Sequence, residues 1–223
     1  MKVLNLYAGI GGNRKLWQDV EVTAIELNPQ IAKIYQDFFP KDKVIVADAH
    51  QYLLDHFKEF EFIWSSPPCP SHSICNHFLQ AQGNVRYPDM GLWQEIVFLQ
   101  KWFKGKWVVE NVKSYYPPLW PPTLLDRHYF WANFKINDFK VVRNFNIVNA
   151  RASTRQNCIE DIKNLEEYHG IYLRNKKTGE NYQNKRLLLR NCVYPPLGLH
   201  ILNESKRNIQ PELFNHLSKQ DKP

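Results

Sequence analysis

One segment of this 223-residue chain sets a nucleophile on a stiff mount: Pro67-Pro68-Cys69-Pro70-Ser71-His72-Ser73. Two prolines fix the backbone ahead of Cys69, and a cysteine attacks as its thiolate. A second segment, Trp107-Val108-Val109-Glu110-Asn111-Val112, ends an apolar run on a carboxyl group. Together they suit covalent work on an electron-poor ring such as cytosine. A thiolate adding to C6 breaks the aromaticity and makes C5 enamine-like, so that C5 can attack an electrophilic methyl group. A glutamate sharing a proton with N3 stabilises the negative charge that develops there, and a protonated carboxyl in a dry pocket does so near neutral pH.

A third group can hold a cofactor. Tyr7-Ala8-Gly9-Ile10-Gly11-Gly12 falls where an apolar run gives way to a turn, and glycines there let the backbone approach a ligand. No Gly-Lys-Ser/Thr follows, so the turn is not a phosphate-binding P-loop. Its bland alternative is a tight turn needing positive φ. Glu26 ends the next apolar run, the usual place for an acid that holds ribose hydroxyls, or else it is a surface carboxylate. Asp48 ends the third, where it can accept from an adenine amino group or cap a helix starting at Ala49. Cys69, His72, Cys75 and His77 are too crowded for a structural zinc site, and no metal is expected. His72 and His77 are instead expected on a mobile loop between Cys69 and Met90, able to close over a flipped base. Arg86, in that loop, can touch a phosphate or stand as an exposed cation.

These residues need a scaffold that gathers strand ends. Short apolar runs at Val3–Tyr7, Val20–Glu26, Val44–Val46, Phe60–Trp64 and Trp107–Val109 read as strands. Helical spacing marks Pro29–Phe38 and Leu92–Phe103 between them. Strands separated by helices predict parallel pairing through right-handed crossovers. In such a sheet the C-terminal strand ends, here Tyr7, Glu26, Asp48, Cys69 and Glu110, line one crevice. The expected fold is a doubly wound, Rossmann-like α/β domain over 1–134 plus 189–223, with a small irregular insertion at 135–188. That insertion is polar and basic, and Arg143, Arg151 and Arg155 in it are candidate DNA contacts. Order returns at Arg190-Asn191-Cys192-Val193, and the tail beyond Asn203 is expected to end in a short helix. Tyr115-Tyr116-Pro117-Pro118 and Trp120-Pro121-Pro122 read as a stiff connection that packs.

A hydrophobic fraction of 43% allows a real core, and a formal net charge of +7 suits a polyanionic partner. No apolar run approaches a membrane span. The N-terminus reads as a strand rather than a signal peptide, which predicts a cytoplasmic, nucleoid-associated protein. Without an export signal, the four cysteines are expected to be reduced.

The motifs resemble the C5-cytosine DNA methyltransferase family, in the family's order. Its aromatic-x-Gly-x-Gly-Gly turn is Tyr7 to Gly12, its Pro-Cys-x-x-x-Ser motif is Pro68 to Ser73, and its Glu-Asn-Val motif is Glu110-Asn111-Val112. Its late Gly-Asn-Ala/Ser-Val segment is similar to Arg190-Asn191-Cys192-Val193, with arginine in place of the glycine. Its Gln-x-Arg-x-Arg strand is reduced to Leu125-Asp126-Arg127-His128-Tyr129, where Arg127 stands for the final arginine. The resemblance implies S-adenosylmethionine as cofactor, held by Tyr7, Gly9, Gly11, Gly12, Glu26, Asp48, Pro68 and Asn191. It implies Cys69 as nucleophile and Glu110 as N3 partner, with Arg127 and Ser73 beside them. It implies duplex DNA as partner and a stand-alone, monomeric enzyme of the short phage or bacterial type, paired in some settings with a restriction enzyme. Two other readings use the same motifs: methylation of tRNA cytosine, and a degenerate member that binds without turnover. An amino-methyltransferase would carry an aromatic residue where Cys69 stands.

Overall fold

The computed structural model describes residues 1–143, 145, 155–174 and 184–207 (side chains 155–157 excepted). Seven strands form one sheet in the order β3-β2-β1-β4-β5-β7-β6. They are β1 (Lys2–Leu6), β2 (Glu21–Glu26), β3 (Lys43–Val46), β4 (Phe62–Ser65), β5 (Lys106–Val112), β6 (Thr123–Leu125) and β7 (His128–Ala132). The first five are parallel, as their alternation with helices requires. The other two fall outside the runs that read as strands. β7 runs antiparallel to β5 and to β6; only Asp126 and Arg127 separate β6 from β7, and so short a link can join only antiparallel neighbours.

Helices cover both faces. The alternation of Val3 and Leu4 along β1 sends neighbouring side chains to opposite cores. On one face Val3, Trp64 and Phe130 meet Leu197, Ile201 and Leu202 of α7 (Pro195–Lys206). On the other, Leu4, Ile63 and Val109 meet Leu53 of α2 (Ala49–His56) and Ile96 and Leu99 of α4 (Gly91–Trp102). Helix α1 (Pro29–Phe38) starts where the sequence specifies: the Asn28 side chain accepts from the Gln30 and Ile31 amides, and proline takes the first turn. Trp93, Tyr116, Trp120 and Trp131 pack together, so the Pro-rich connection is structural, as read.

The expectation of an irregular 135–188 segment fails at α5 (Arg155–His169), a helix of 15 residues. Its Leu165, with Ile171 and Leu173, packs against Ile10, Ile34, Leu189 and Cys192. Ion pairs from Asp161 to Arg186 and from Glu166 to Lys185 tie it to α6 (Lys185–Arg190). The loop after Cys69 also holds a short helix, α3 (Asn76–Ala81). His72 is not on that loop's surface: it is buried, with Nδ1 2.6 Å from the Tyr116 hydroxyl. Helix α7 runs on past Asn203 to Lys206, and the short helix expected at the end of the tail falls on residues outside those described. Among the described residues no helix is long and apolar enough to cross a membrane.

Candidate active site

The parallel strands end on one side of the sheet, and a cleft of about 1190 Å³ opens there. Its wall includes Tyr7, Gly9, Gly12, Glu26, Asp48, Pro68, Cys69, Ser73, Glu110, Arg127 and Asn191, which are all but one of the residues singled out for catalysis or cofactor. Gly11 is the exception. Its φ is +80°, and an added Cβ would stand 2.3 Å from the Phe39 ring and 2.9 Å from the Tyr35 ring. Glycine is needed there for packing behind the turn.

At the glycine turn the chain leaves β1 with Tyr7 and Gly9 both left-handed. The Gly9 N–H donates to Glu26 Oε2 at 3.0 Å, and the Asn28 N–H donates to Oε1 at 2.9 Å. The acid at the end of β2 thereby fixes the turn while keeping lone pairs toward the cleft. A Cβ on Gly9 would have nothing within 4 Å, so the backbone there faces open space. Gly12 is pressed against the late motif, with its hypothetical Cβ 2.8 Å from Cys192 Cβ and 2.8 Å from the Val193 carbonyl. Asp48 caps α2 through the Gln51 amide at 2.8 Å and also lines the cleft.

At the other end, Asn111 binds the proline loop to β5. Its side-chain amide donates to the Pro67 carbonyl at 3.0 Å, and its Oδ1 accepts from the Val112 N–H at 3.0 Å. The Cys69 carbonyl accepts from the His72 and Ser73 amides, so the thiol sits at a turn closed on itself. Burial raises the Cys69 thiol pKa above its ordinary value, and the charge of Glu110 raises it further. Glu110 is buried, and desolvation lifts its pKa to about 7 against the pull of Ser66 and Arg127. Arg127 favours both anions. It is anchored by donating to the Arg190 carbonyl at 2.7 Å and, more weakly, to the Cys192 carbonyl at 3.4 Å.

Two buried groups at this site were missed from sequence. His128 pairs with Val112 across β5 and β7, which puts it on the same face as Glu110, with Nε2 3.7 Å from Glu110 Oε1. Burial, and the nearby cations Arg127 and Arg143, keep its imidazole neutral. Glu95, on α4, receives the Tyr7 hydroxyl at 2.5 Å. Its one sequence signal was an acid on the apolar face of a helix.

The arginines proposed for DNA contact do not share one setting. Arg86 is exposed away from the cleft wall. Arg143 is paired with Asp126 at 2.5 Å, which uses its charge within the fold and departs from a free cationic contact. Arg151 and the Arg155 side chain lie outside the described residues.

The model of the C-5 cytosine-specific DNA methylase family matches residues 1–116. The chain belongs to that family. The matched stretch carries the glycine turn, the Pro-Cys loop and the Glu-Asn-Val strand end, each of which contributes to the cleft wall, while the wall residues Arg127 and Asn191 lie beyond it. No curated protein matches the sequence. Among solved structures, a hypothetical protein of Thermus thermophilus aligns at 14% identity over 59% of this chain and 73% of its own, with a TM-score of 0.38. A Spodoptera frugiperda DNMT2 aligns at 26% identity over 50% of this chain and 35% of its own, again with a TM-score of 0.38. An Entamoeba histolytica methyltransferase aligns at 16% identity over 50% of this chain and 38% of its own, with a TM-score of 0.35. The chain thus spans little more than a third of the length of these last two proteins.

Proposed function

We propose that the chain transfers a methyl group from S-adenosylmethionine to C5 of a cytosine flipped out of duplex DNA, through a transient bond between the Cys69 sulfur and C6. The observation that carries this reading is that Cys69, Glu110 and the glycine turn wall one cleft. The cleft fits the cofactor on two counts: open space at Gly9, and a ribose-suited acid, Glu26, at the end of β2. Tyr7, Gly9, Gly12, Asp48, Pro68 and Asn191 complete that wall. When bound, S-adenosylmethionine would supply the electrophilic methyl group.

The chain's own residues do the rest. The Cys69 thiolate adds to C6, and the ring electrons shift toward N3 and C5. Glu110, whose burial lifts its pKa to about 7 so that its protonated form persists near neutral pH, shares its proton with N3. After C5 is methylated, its proton leaves to a base or water, the C6–S bond breaks, and the thiolate and the aromatic ring are restored. Arg127 favours the thiolate while the attack is prepared. Extrusion of the base costs a few kcal/mol, met by binding in the cleft. Arg86 supplies a phosphate contact outside it.

The test is covalent capture on duplex DNA containing 5-fluorocytosine, with a tRNA arm run in parallel. A denaturation-stable adduct with DNA, absent in Cys69→Ser, is the expected result. An adduct with tRNA alone would move the substrate to RNA. Absence of both adducts, with cofactor binding intact, would leave a binding module and end the covalent reading. Bisulfite sequencing of DNA from expressing cells then reports the sequence context.

A further inference from the structure

Helix α4 buries an acid where its apolar face meets the sheet. Glu95 is 1% exposed among Leu92, Trp93, Ile96 and Leu99. Three side chains converge on its carboxylate. The Tyr7 hydroxyl donates to Oε1 at 2.5 Å, the Ser65 hydroxyl donates to Oε2 at 2.5 Å, and His50 Nδ1 lies 3.2 Å from Oε1. These partners come from the ends of β1 and β4 and the first turn of α2. A buried carboxylate is costly unless its oxygens are bonded, and a fully bonded one rigidifies what it touches. Glu95 takes no part in the covalent chemistry, yet two of its partners, Tyr7 and His50, stand on the cleft wall.

The backbone explains what needs holding. Tyr7 has φ +54°, in the left-handed region that residues with a Cβ occupy only when their surroundings over-determine it. That conformation turns the chain out of β1. The Ala8 N–H then meets the Ile25 carbonyl at 2.9 Å, and the Gly9 N–H meets Glu26 at 3.0 Å. An aromatic ring alone would fill the Tyr7 position, but only a hydroxyl can reach Glu95. Burial and the Glu95 charge keep the phenol proton in place by raising its pKa far above the ordinary value.

We infer that Glu95 is a positioning residue for the cofactor turn: by gripping the Tyr7 hydroxyl it fixes the left-handed bend that presents Gly9 and Glu26 to S-adenosylmethionine. The inference rests on the reading of this cleft as the cofactor site. The test is calorimetric titration of the full chain with S-adenosylhomocysteine, beside thermal melts. Tyr7→Phe and Glu95→Gln are each expected to weaken binding about tenfold, the scale of one hydrogen bond to a charged group. The double variant is expected to bind no worse than the weaker single one, because both changes remove one interaction. Ser65→Ala leaves the Tyr7 bond in place, so it is expected to lower the melting temperature while changing affinity less than about threefold. Wild-type affinity in Tyr7→Phe, or a larger affinity loss in Ser65→Ala than in Tyr7→Phe, would overturn the inference. Should Glu95→Gln fail to fold, Tyr7→Phe against Ser65→Ala decides alone. A wild-type chain that does not bind S-adenosylhomocysteine overturns the cofactor reading itself, a result separate from any of these.

Discussion

Cys69 and Glu110 compete over charge. Burial disfavours both anions, and the Glu110 charge further disfavours the thiolate, while Arg127 favours each anion. In the proposed reaction a protonated Glu110 therefore eases ionisation of Cys69 as well as serving N3. The midpoint of Cys69 alkylation against pH should move down in Glu110→Gln and up in Arg127→Gln; shifts of the opposite sign would mean that these groups do not face one another in solution. The same carboxyl couples to folding. Its folded pKa of about 7 lies above that of an unfolded glutamate, so the folded chain holds this proton more tightly. The stability it contributes is complete below the unfolded value and is lost as the pH rises through about 7. Glu110→Gln should thus gain on the wild type between about pH 5 and pH 9, by on the order of 3 kcal/mol at most, in urea unfolding at the two pH values. A pH-independent difference would place the carboxyl in water.

Element packing sets how far such groups can drift, and α7 meets the glycine-turn side of the cleft at a glycine. A Cβ on Gly198 would stand 2.4 Å from the Asn13 carbonyl oxygen and 2.8 Å from Asn13 Cα, which are backbone atoms that cannot rotate away. Alanine improves helix propensity by about 1 kcal/mol, whereas overpacking of this kind costs about 1–3 kcal/mol. Because the clash is with backbone, it should win: Gly198→Ala is expected to lower stability by up to about 2 kcal/mol, read by thermal unfolding, and a rise in melting temperature would show that α7 can back away. Much of this architecture was legible because strand ends carry both punctuation and chemistry. Tyr7 to Gly12, Glu26, Asp48, Cys69 and Glu110 each close an apolar run, and the parallel sheet collects them in one cleft. Helix α5 was not legible, because acids and amides outnumber its apolar residues and outweigh the spacing of Ile162 and Leu165. Glu95 and His128 were hidden for another reason. Their partners come from other elements, and only the register of β5 with β7 and the docking of α4 bring them to Glu110 and Tyr7.

At the scale of the whole molecule the +7 charge decides how a polyanion and a small ligand should differ. Neutralising Z phosphates releases condensed counterions, so affinity for duplex DNA falls with salt at a slope of about −0.9Z. For three phosphates, raising salt fourfold would weaken binding roughly 40-fold. S-adenosylhomocysteine carries no such atmosphere, so its affinity should stay nearly flat over the same range. Individual arginines should divide in the way their settings differ. Arg86→Ala removes an exposed cation and should reduce the slope by about one unit. Arg143 is already paired with Asp126, next to Arg127 in the β6–β7 turn, so Arg143→Ala should leave the slope unchanged and act through stability instead. Fluorescence anisotropy of labelled duplex across a salt series reads both effects. A salt-independent affinity would remove the electrostatic basis for a nucleic-acid partner. A slope change in Arg143→Ala equal to that of Arg86→Ala would mean that its ion pair opens when DNA binds.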